Sequence, residues 1–331
     1  MEKLTETSPT ATYDLAVVLF LRQSLPSGKP SINSAHIIPL QDAIAQATGS
    51  QVISAQYENY HHSSSPHVLV LTIPGISTPL TTLRSHSAIQ SFEHEHQIEL
   101  VLQDSHTFNT PLRLAVFDMD STLIEQEVID ELAHEAGIKE KVAAITERAM
   151  RGELDFSASL RERVSLLAGL PEERFEQLKP RITLTPGATT LLKELKRQGV
   201  KTALLSGGFV PLARWIAGTL SIDYVHANEL EVGSGGRLTG KLAPGCVIVD
   251  GARKRQLLHE IAEKEGITDA RSIIAVGDGA NDLPMLWAAG LGIAVNAKPK
   301  VQLKAPAKLN GPSALLDVIY CTGLSVGELD V

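Results

Sequence analysis

Three short apolar runs in the second part of the chain each end in a polar turn, and this repetition constrains the fold more than any other feature. Leu114–Phe117 runs into Asp118-Met119-Asp120-Ser121-Thr122. Residues 202–205 run into Ser206-Gly207-Gly208, and 273–276 into Gly277-Asp278-Gly279-Ala280-Asn281-Asp282. Strand-like runs alternating with stretches of helical periodicity predict an α/β fold with a parallel sheet. Two further runs, 224–227 and 292–295, add strands to it. Ligands of such open sheets sit beyond the carboxyl ends of the strands, so the three turns are expected to converge on one cleft.

The rest of the chain is arranged around that sheet. About eighty residues of helical periodicity separate the first turn from the second strand. They predict an inserted helical cap at about 125–190. Residues 229–241, centred on Gly233-Ser234-Gly235-Gly236, read as a β-hairpin rather than a nucleotide loop. Upstream, candidate strands at 15–21, 52–57, 68–73 and 98–102 alternate with helical spacing at 37–47 and near 80–92. The turn cluster at 61–66 fits a hairpin between the two central strands. A βαββαβ order of this size predicts a small ferredoxin-like α+β domain over residues 13–108. Residues 1–12 are expected to be unstructured, and 109–331 to form the larger domain. A length of 331 residues accommodates two domains at about 150 residues each.

Charge and composition exclude several function classes. Thirty basic against 38 acidic side chains give a net charge of −8, whereas a chain that grips nucleic acid through its phosphates is normally basic. An acidic chain can still handle a small anion where local groups overturn the global field. No apolar stretch approaches the ~18 residues of a membrane span. Lys3 alone makes no basic region before the run at 15–21, so no signal peptide is expected. Cys246 and Cys321 form neither a metal pattern nor a disulfide framework. The expectation is a cytoplasmic protein without nucleic-acid or membrane partners.

Asp118 and Asp120, two apart where a strand ends, can both point into the cleft, and such a pair repels itself unless a cation or protons intervene. Asp278, arriving from a separate strand, completes an all-oxygen set suited to Mg²⁺. Read singly, the first turn is an N-cap cluster and the last an ordinary loop; together, each after an apolar strand, they are hard to explain so. Ser206 with the following glycines offers a hydroxyl and backbone N–H groups to a phosphate, although Ser-Gly-Gly is also a common cap and turn. Lys254 lies in a basic stretch that opens a helix; most such stretches are solvated, and cations there oppose the helix dipole. On the stripe of Leu160, Val164 and Leu167, a rotation of about 100° per residue places Arg163 on the apolar side. There it either snorkels or meets a partner.

Taken in order, Asp118-x-Asp120-x-Thr122, Ser206, Lys254 and Asp278-x-x-x-Asp282 resemble the four motifs of the haloacid-dehalogenase-like phosphatases. The resemblance spans residues 112–310 and implies a Rossmann-like core with a helical cap inserted after its first strand. Ser121, the run Ser206-Gly207-Gly208-Phe209 and the turn 277–282 point within that family to enzymes acting on O-phospho-L-serine. It implies that Asp118 is a nucleophile forming an aspartyl-phosphate, and that Asp120 is the general acid and then base. Mg²⁺ would be held by Asp118, Asp278 and the Asp120 carbonyl. Ser206, Gly207, Lys254 and Asn281 would bind the phosphoryl group, and Asp282 would orient Lys254 or the metal's surroundings. Arg163 would clamp the substrate carboxylate and Glu127 the ammonium, though a glutamate near a helix start is ordinary. Met150 and Phe156 match apolar pocket positions that would otherwise read as core. The implied product, L-serine, suggests a place at the end of serine biosynthesis. The N-terminal domain resembles ACT-type small-molecule-binding domains in topology, which leaves room for an amino-acid effector and a homodimer. A different small phosphomonoester as substrate, with hydrolysis or phosphotransfer, is the alternative. A glycosyltransferase with an Asp-x-Asp metal pair and a non-catalytic amino-acid sensor are the competing classes.

Overall fold

The structure, a computed structural model, describes residues 12–22, 32, 34–49 and 68–324. The chain divides into two compact units, residues 1–111 with 319–330, and 112–318.

The first unit contains β1 (Tyr13–Leu21), α1 (Ser34–Thr48), β2 (Val68–Ile76), α2 (Leu80–Ser85), α3 (Ser87–His96), β3 (Ile98–Asp104) and α4 (Ser105–Asn109). Its three described strands form an antiparallel sheet in the order β2-β1-β3. Period-2 alternation turns Leu15, Val17 and Leu19 to a core shared with Leu40 and Ile44 of α1 and Phe92 of α3. The strand expected at 52–57 and the turn at 61–66 lie outside the described residues. The single helix expected near 80–92 is two helices. His86 adopts extended backbone (φ −70°, ψ 136°), and its imidazole accepts the Ala88 N–H at 3.2 Å, which ends one helix and caps the next. The second unit ends at Val318 rather than running to residue 331. The Gln103 amide donates to the Cys321 carbonyl at 3.0 Å, and Gly323 (φ +64°) packs so closely on the Phe108 carbonyl that a Cβ would lie 2.2 Å from its oxygen.

In the second unit β4 (Leu114–Phe117) leads into four cap helices: α5 (Val128–Glu135), α6 (Lys139–Met150), α7 (Phe156–Ser165) and α8 (Arg174–Leu178). The chain then returns through α9 (Ala188–Arg197), β5 (Lys201–Phe209), α10 (Val210–Leu220), β6 (Tyr224–Asn228), β7 (Leu230–Gly233) and β8 (Arg237–Leu242). It ends with α11 (Gly251–Lys264), β9 (Ile273–Gly277), α12 (Leu283–Leu286), β10 (Leu291–Val295), α13 (Pro299–Gln302), β11 (Ala307–Leu309) and α14 (Ala314–Asp317).

Six strands make a parallel sheet in the order β11-β10-β9-β4-β5-β6. β4 lies inside it with all four residues buried, Phe117 paired with Leu204 on one side and Val276 on the other. That register sets Phe117, Leu204 and Val276 level, with β5 running on to Phe209. Leu114 and Val116 share a core with Leu257, Leu258 and Ile261 of α11 and Met285 and Leu286 of α12. The cap leaves and rejoins the core through paired backbone: Glu125 N–H donates to Thr183 O, and Thr185 N–H to Leu123 O, both at 3.0 Å. The antiparallel hairpin β7–β8 is sewn to the cap, with Gly169 N–H bonded to Leu238 O and Leu238 N–H to Leu170 O, both at 2.8 Å.

Candidate active site

The first turn is a tight knot at the end of β4. Asp118 N–H still donates to Val276 O at 2.9 Å, in continuation of the sheet. The chain then reverses: Thr122, Leu123 and Ile124 all donate N–H groups to Met119 O, and Ser121 takes a left-handed φ of 55°. Thr122 is fully buried, and its hydroxyl donates to Asp278 Oδ1 at 3.1 Å, which ties the first turn to the last.

Lys254 is among the most deeply placed of the expected residues. Asp250 caps α11 by accepting the Arg253 N–H at 2.9 Å, worth about 1 kcal/mol. One turn later Lys254 points inward and is wholly buried. Its Nζ lies 2.7 Å from Asp118 Oδ1 and 2.6 Å from Asp282 Oδ1. Burial opposes its charge, but the two carboxylates outweigh burial and raise its pKa above the ordinary lysine value. Asp282 is also wholly buried and accepts the Gly279 N–H through Oδ2 at 2.8 Å, so both of its oxygens are engaged.

The acidic groups crowd one another. Burial, then the charge of Asp282, pushes Asp118 up to about 7 against the opposing effect of Lys254. Asp278 rises to about 8 through burial and the charges of Asp118, Asp282 and Glu127. Asp120 rises well above the ordinary carboxylate range, by burial first and then by Glu127 and Asp118, and its buried Oδ1 has no hydrogen-bond partner. Oxygens of Asp118, Asp278 and Asp282 lie within 4.8 Å of one another. A compact set of carboxylates, with Asp118 and Asp278 pushed upward, and the orphaned buried Asp120 oxygen beside it fit a hard divalent cation such as Mg²⁺. The clustered carboxylate beyond Asp118 and Asp278 is Asp282, which Lys254 and Gly279 already hold.

Ser206, Gly207 and Gly208 do not form the turn at a helix start that their composition suggests. They continue β5, and α10 begins only at Val210. The register between β5 and β6 shifts between Leu205 and Phe209, which lets this stretch bend toward the cleft. Ser206 is wholly buried and its Oγ accepts the Gly208 N–H at 2.8 Å. A Cβ on Gly208 would meet Asp120 Oδ2 and Met119 Cε at 3.0 Å, and one on Gly207 would meet Phe156 Cζ at 2.8 Å. The glycines thus admit the first turn on one side and the cap's Phe156 on the other, with the Asn281 side chain close to Gly207.

Glu127 stands immediately before α5 and accepts the Ser121 hydroxyl at 2.8 Å. The protein around its carboxyl raises its pKa, and the Ser121 hydrogen bond opposes this. Arg163, half-buried on α7, donates from Nε to Ser159 O at 3.4 Å. Burial lowers its pKa, while the nearby charges of Glu127, Asp130 and Asp120 favour its cation. Met150 is not core: at the last turn of α6 it is 60% exposed.

Sequence reasoning missed Asn228, at the end of β6. It is wholly buried, donates from Nδ2 to Gly207 O at 2.8 Å and accepts the Val249 N–H through Oδ1 at 2.9 Å. One amide therefore joins the Ser206–Gly208 stretch to the segment that starts α11. Only a polar residue closing the strand hinted at it.

Residues 115–286 match the haloacid dehalogenase-like hydrolase family. A probable phosphoserine phosphatase of Schizosaccharomyces pombe is 52% identical over 66% of this chain and 72% of its own length. A phosphoserine phosphatase of Saccharomyces cerevisiae is 44% identical over 72% of this chain and 76% of its own. Among solved structures, a phospho-aspartyl intermediate analogue of phosphoserine phosphatase is similar at 45% identity and a TM-score of 0.56. That similarity covers 60% of this chain and 93% of that one.

Proposed function

The chain belongs to the haloacid dehalogenase-like hydrolases, and from that premise we propose that it hydrolyses O-phospho-L-serine to L-serine and phosphate through an aspartyl-phosphate. The observation that carries the reading is the buried Lys254, paired with Asp118 and Asp282 at the level where the Ser206 stretch approaches Asp120. The relatives' phosphatase names and the phospho-aspartyl analogue support it.

In this reading Asp118 attacks phosphorus, its carboxylate held in place by Lys254. Asp120, kept protonated by its surroundings, gives its proton to the departing serine oxygen. As a carboxylate it then takes a proton from the water that cleaves the aspartyl-phosphate. The Ser206 hydroxyl, Gly207, Asn281 and Lys254 hold the phosphoryl oxygens and stabilise the charge gathered there. Asp118, Asp278 and the Asp120 carbonyl would hold Mg²⁺, which supplies positive charge where an anionic nucleophile meets an anionic phosphate. Glu127 receives the substrate ammonium and Arg163 its carboxylate, while Phe156 closes the apolar side. Releasing serine from its phosphate ester, the reaction would end serine biosynthesis.

No described helix is long and apolar enough to cross a membrane, and the proposed substrate is a small water-soluble molecule. The test is phosphate release from a panel of small phosphorylated metabolites, with and without Mg²⁺. Preference for O-phospho-L-serine, dependent on Mg²⁺, is expected. Faster turnover of a substrate lacking the amino-acid head group would overturn the assignment.

A further inference from the structure

A fourth loop, from the end of β10, faces the last turn of cap helix α6, and it is built more rigidly than a solvent loop requires. Asn296 takes a left-handed φ of 48° and bonds reciprocally with Gly311: Nδ2 donates to Gly311 O at 3.2 Å and Oδ1 accepts the Gly311 N–H at 2.8 Å. Asn296 N–H also donates to Leu309 O at 2.9 Å. Lys298, held extended before Pro299 (φ −62°, ψ 148°), accepts the Val301 and Gln302 N–H groups through its carbonyl. The Gln302 side chain donates to Ala297 O at 2.6 Å.

What this frame projects is a cation. Lys298 Nζ lies 3.7 Å from Met150 Sδ, across from the last turn of cap helix α6. A thioether is a weak acceptor, and Lys298 forms no ion pair among the described residues. Its charge is one of those that favour the ionised form of Glu127, and Arg163 is another. Glu127, assigned above to the ammonium, thus has two cations near it, one on the cap and one on the core, and among the described residues neither meets a carboxylate within ion-pair distance.

We propose that Lys298 is a specificity-determining residue that, together with Arg163, receives the carboxylate of an amino-acid phosphomonoester. The inference rests on the phosphoserine reading above. It differs from a solvated lysine in requiring a ligand group of opposite charge, and from a mere cap contact in requiring that the group be a carboxylate.

The test uses the full chain with an aryl phosphate as reporter substrate. Inhibition constants are measured for two competitors, O-phospho-L-serine and phosphoethanolamine, which lacks only the carboxylate. In Lys298→Met the inhibition constant for O-phospho-L-serine should rise roughly fivefold, the scale of an exposed ion pair, while that for phosphoethanolamine stays within about twofold. Lys298→Arg should restore most of the difference. An unchanged constant for O-phospho-L-serine, or an equal rise for both competitors, would overturn the inference. Failure of the unaltered chain to hydrolyse O-phospho-L-serine would instead remove the activity on which it rests.

Discussion

Lys254 Nζ sits 2.7 Å from Asp118 Oδ1 with neither group open to solvent beyond a few percent. The lysine is the sole cation in ion-pair contact with the buried acids of the cleft among the described residues, and it touches two of them. Lys254→Met should therefore do more than remove the proposed phosphate ligand, because Asp118 and Asp282 would be left uncompensated. Phosphate release should fall by about 10²–10³, and unfolding free energy should drop by roughly 3–5 kcal/mol. Chemical denaturation beside steady-state kinetics checks both. Retained activity in a folded variant would contradict the role.

Arg163→Ala separates binding of the amino acid from chemistry at phosphorus. Turnover of O-phospho-L-serine should suffer by about tenfold or more in kcat/KM, as for loss of a charge-assisted contact, with an aryl phosphate far less affected. Equal loss on both substrates would show that Arg163 does not meet the carboxylate.

Asn228 acts at a distance from the substrate, so its effect should appear in how well phosphate is held. Asn228→Ala leaves Gly207 O and the Val249 N–H without their partner and should cost about 1–3 kcal/mol of stability. In the folded variant, product inhibition by inorganic phosphate should weaken severalfold. Asn228→Asp keeps an acceptor for Val249 but loses the donor to Gly207, and should share the weakened phosphate binding. An unchanged phosphate inhibition constant in both variants would confine Asn228 to a purely structural part.

Without a divalent cation, the crowded carboxylates make stability fall as pH rises. Asp118 and Asp278 titrate near 7 and 8 in the folded chain, against an ordinary value of 3.8. Between about pH 4 and 8 the folded state binds more protons than the unfolded state, so their ionisation destabilises the fold progressively across that window. Protons and Mg²⁺ compete for the same oxygens. Added Mg²⁺ should thus raise the melting temperature more at pH 8 than at pH 5, in melts of chelator-treated protein. An equal shift at both values would place the cation elsewhere.

The parts of the site that could be read from sequence are those whose environment is local. The first turn is dictated by residues 118–124 themselves, and apolar runs immediately before Asp118 and Gly277 place those residues at strand ends. The period of α7 puts Arg163 beside Leu160 and Val164 without reference to any other segment. Where a second segment intervenes, local reading fails. Ser206–Gly208 looks like a turn by composition, yet it remains in β5 because Gly207 O is held by Asn228 from a later strand. Met150 looks like core, yet at the end of α6 it is 60% exposed.

The sequence by itself determined the alternation of strands and helices, the order of the acidic and glycine-bearing turns, and the identity of the groups able to do chemistry. Those follow from side-chain periodicity and from backbone preferences spanning a few residues. Only the tertiary structure decided that Lys254 is buried between two carboxylates, that Asn228 joins the Ser206–Gly208 stretch to the segment before α11, and that Lys298 faces the cap. Each of these depends on register between strands and on loops far apart in the chain. Direction and burial there are set by what the rest of the fold places opposite, which local periodicity does not specify.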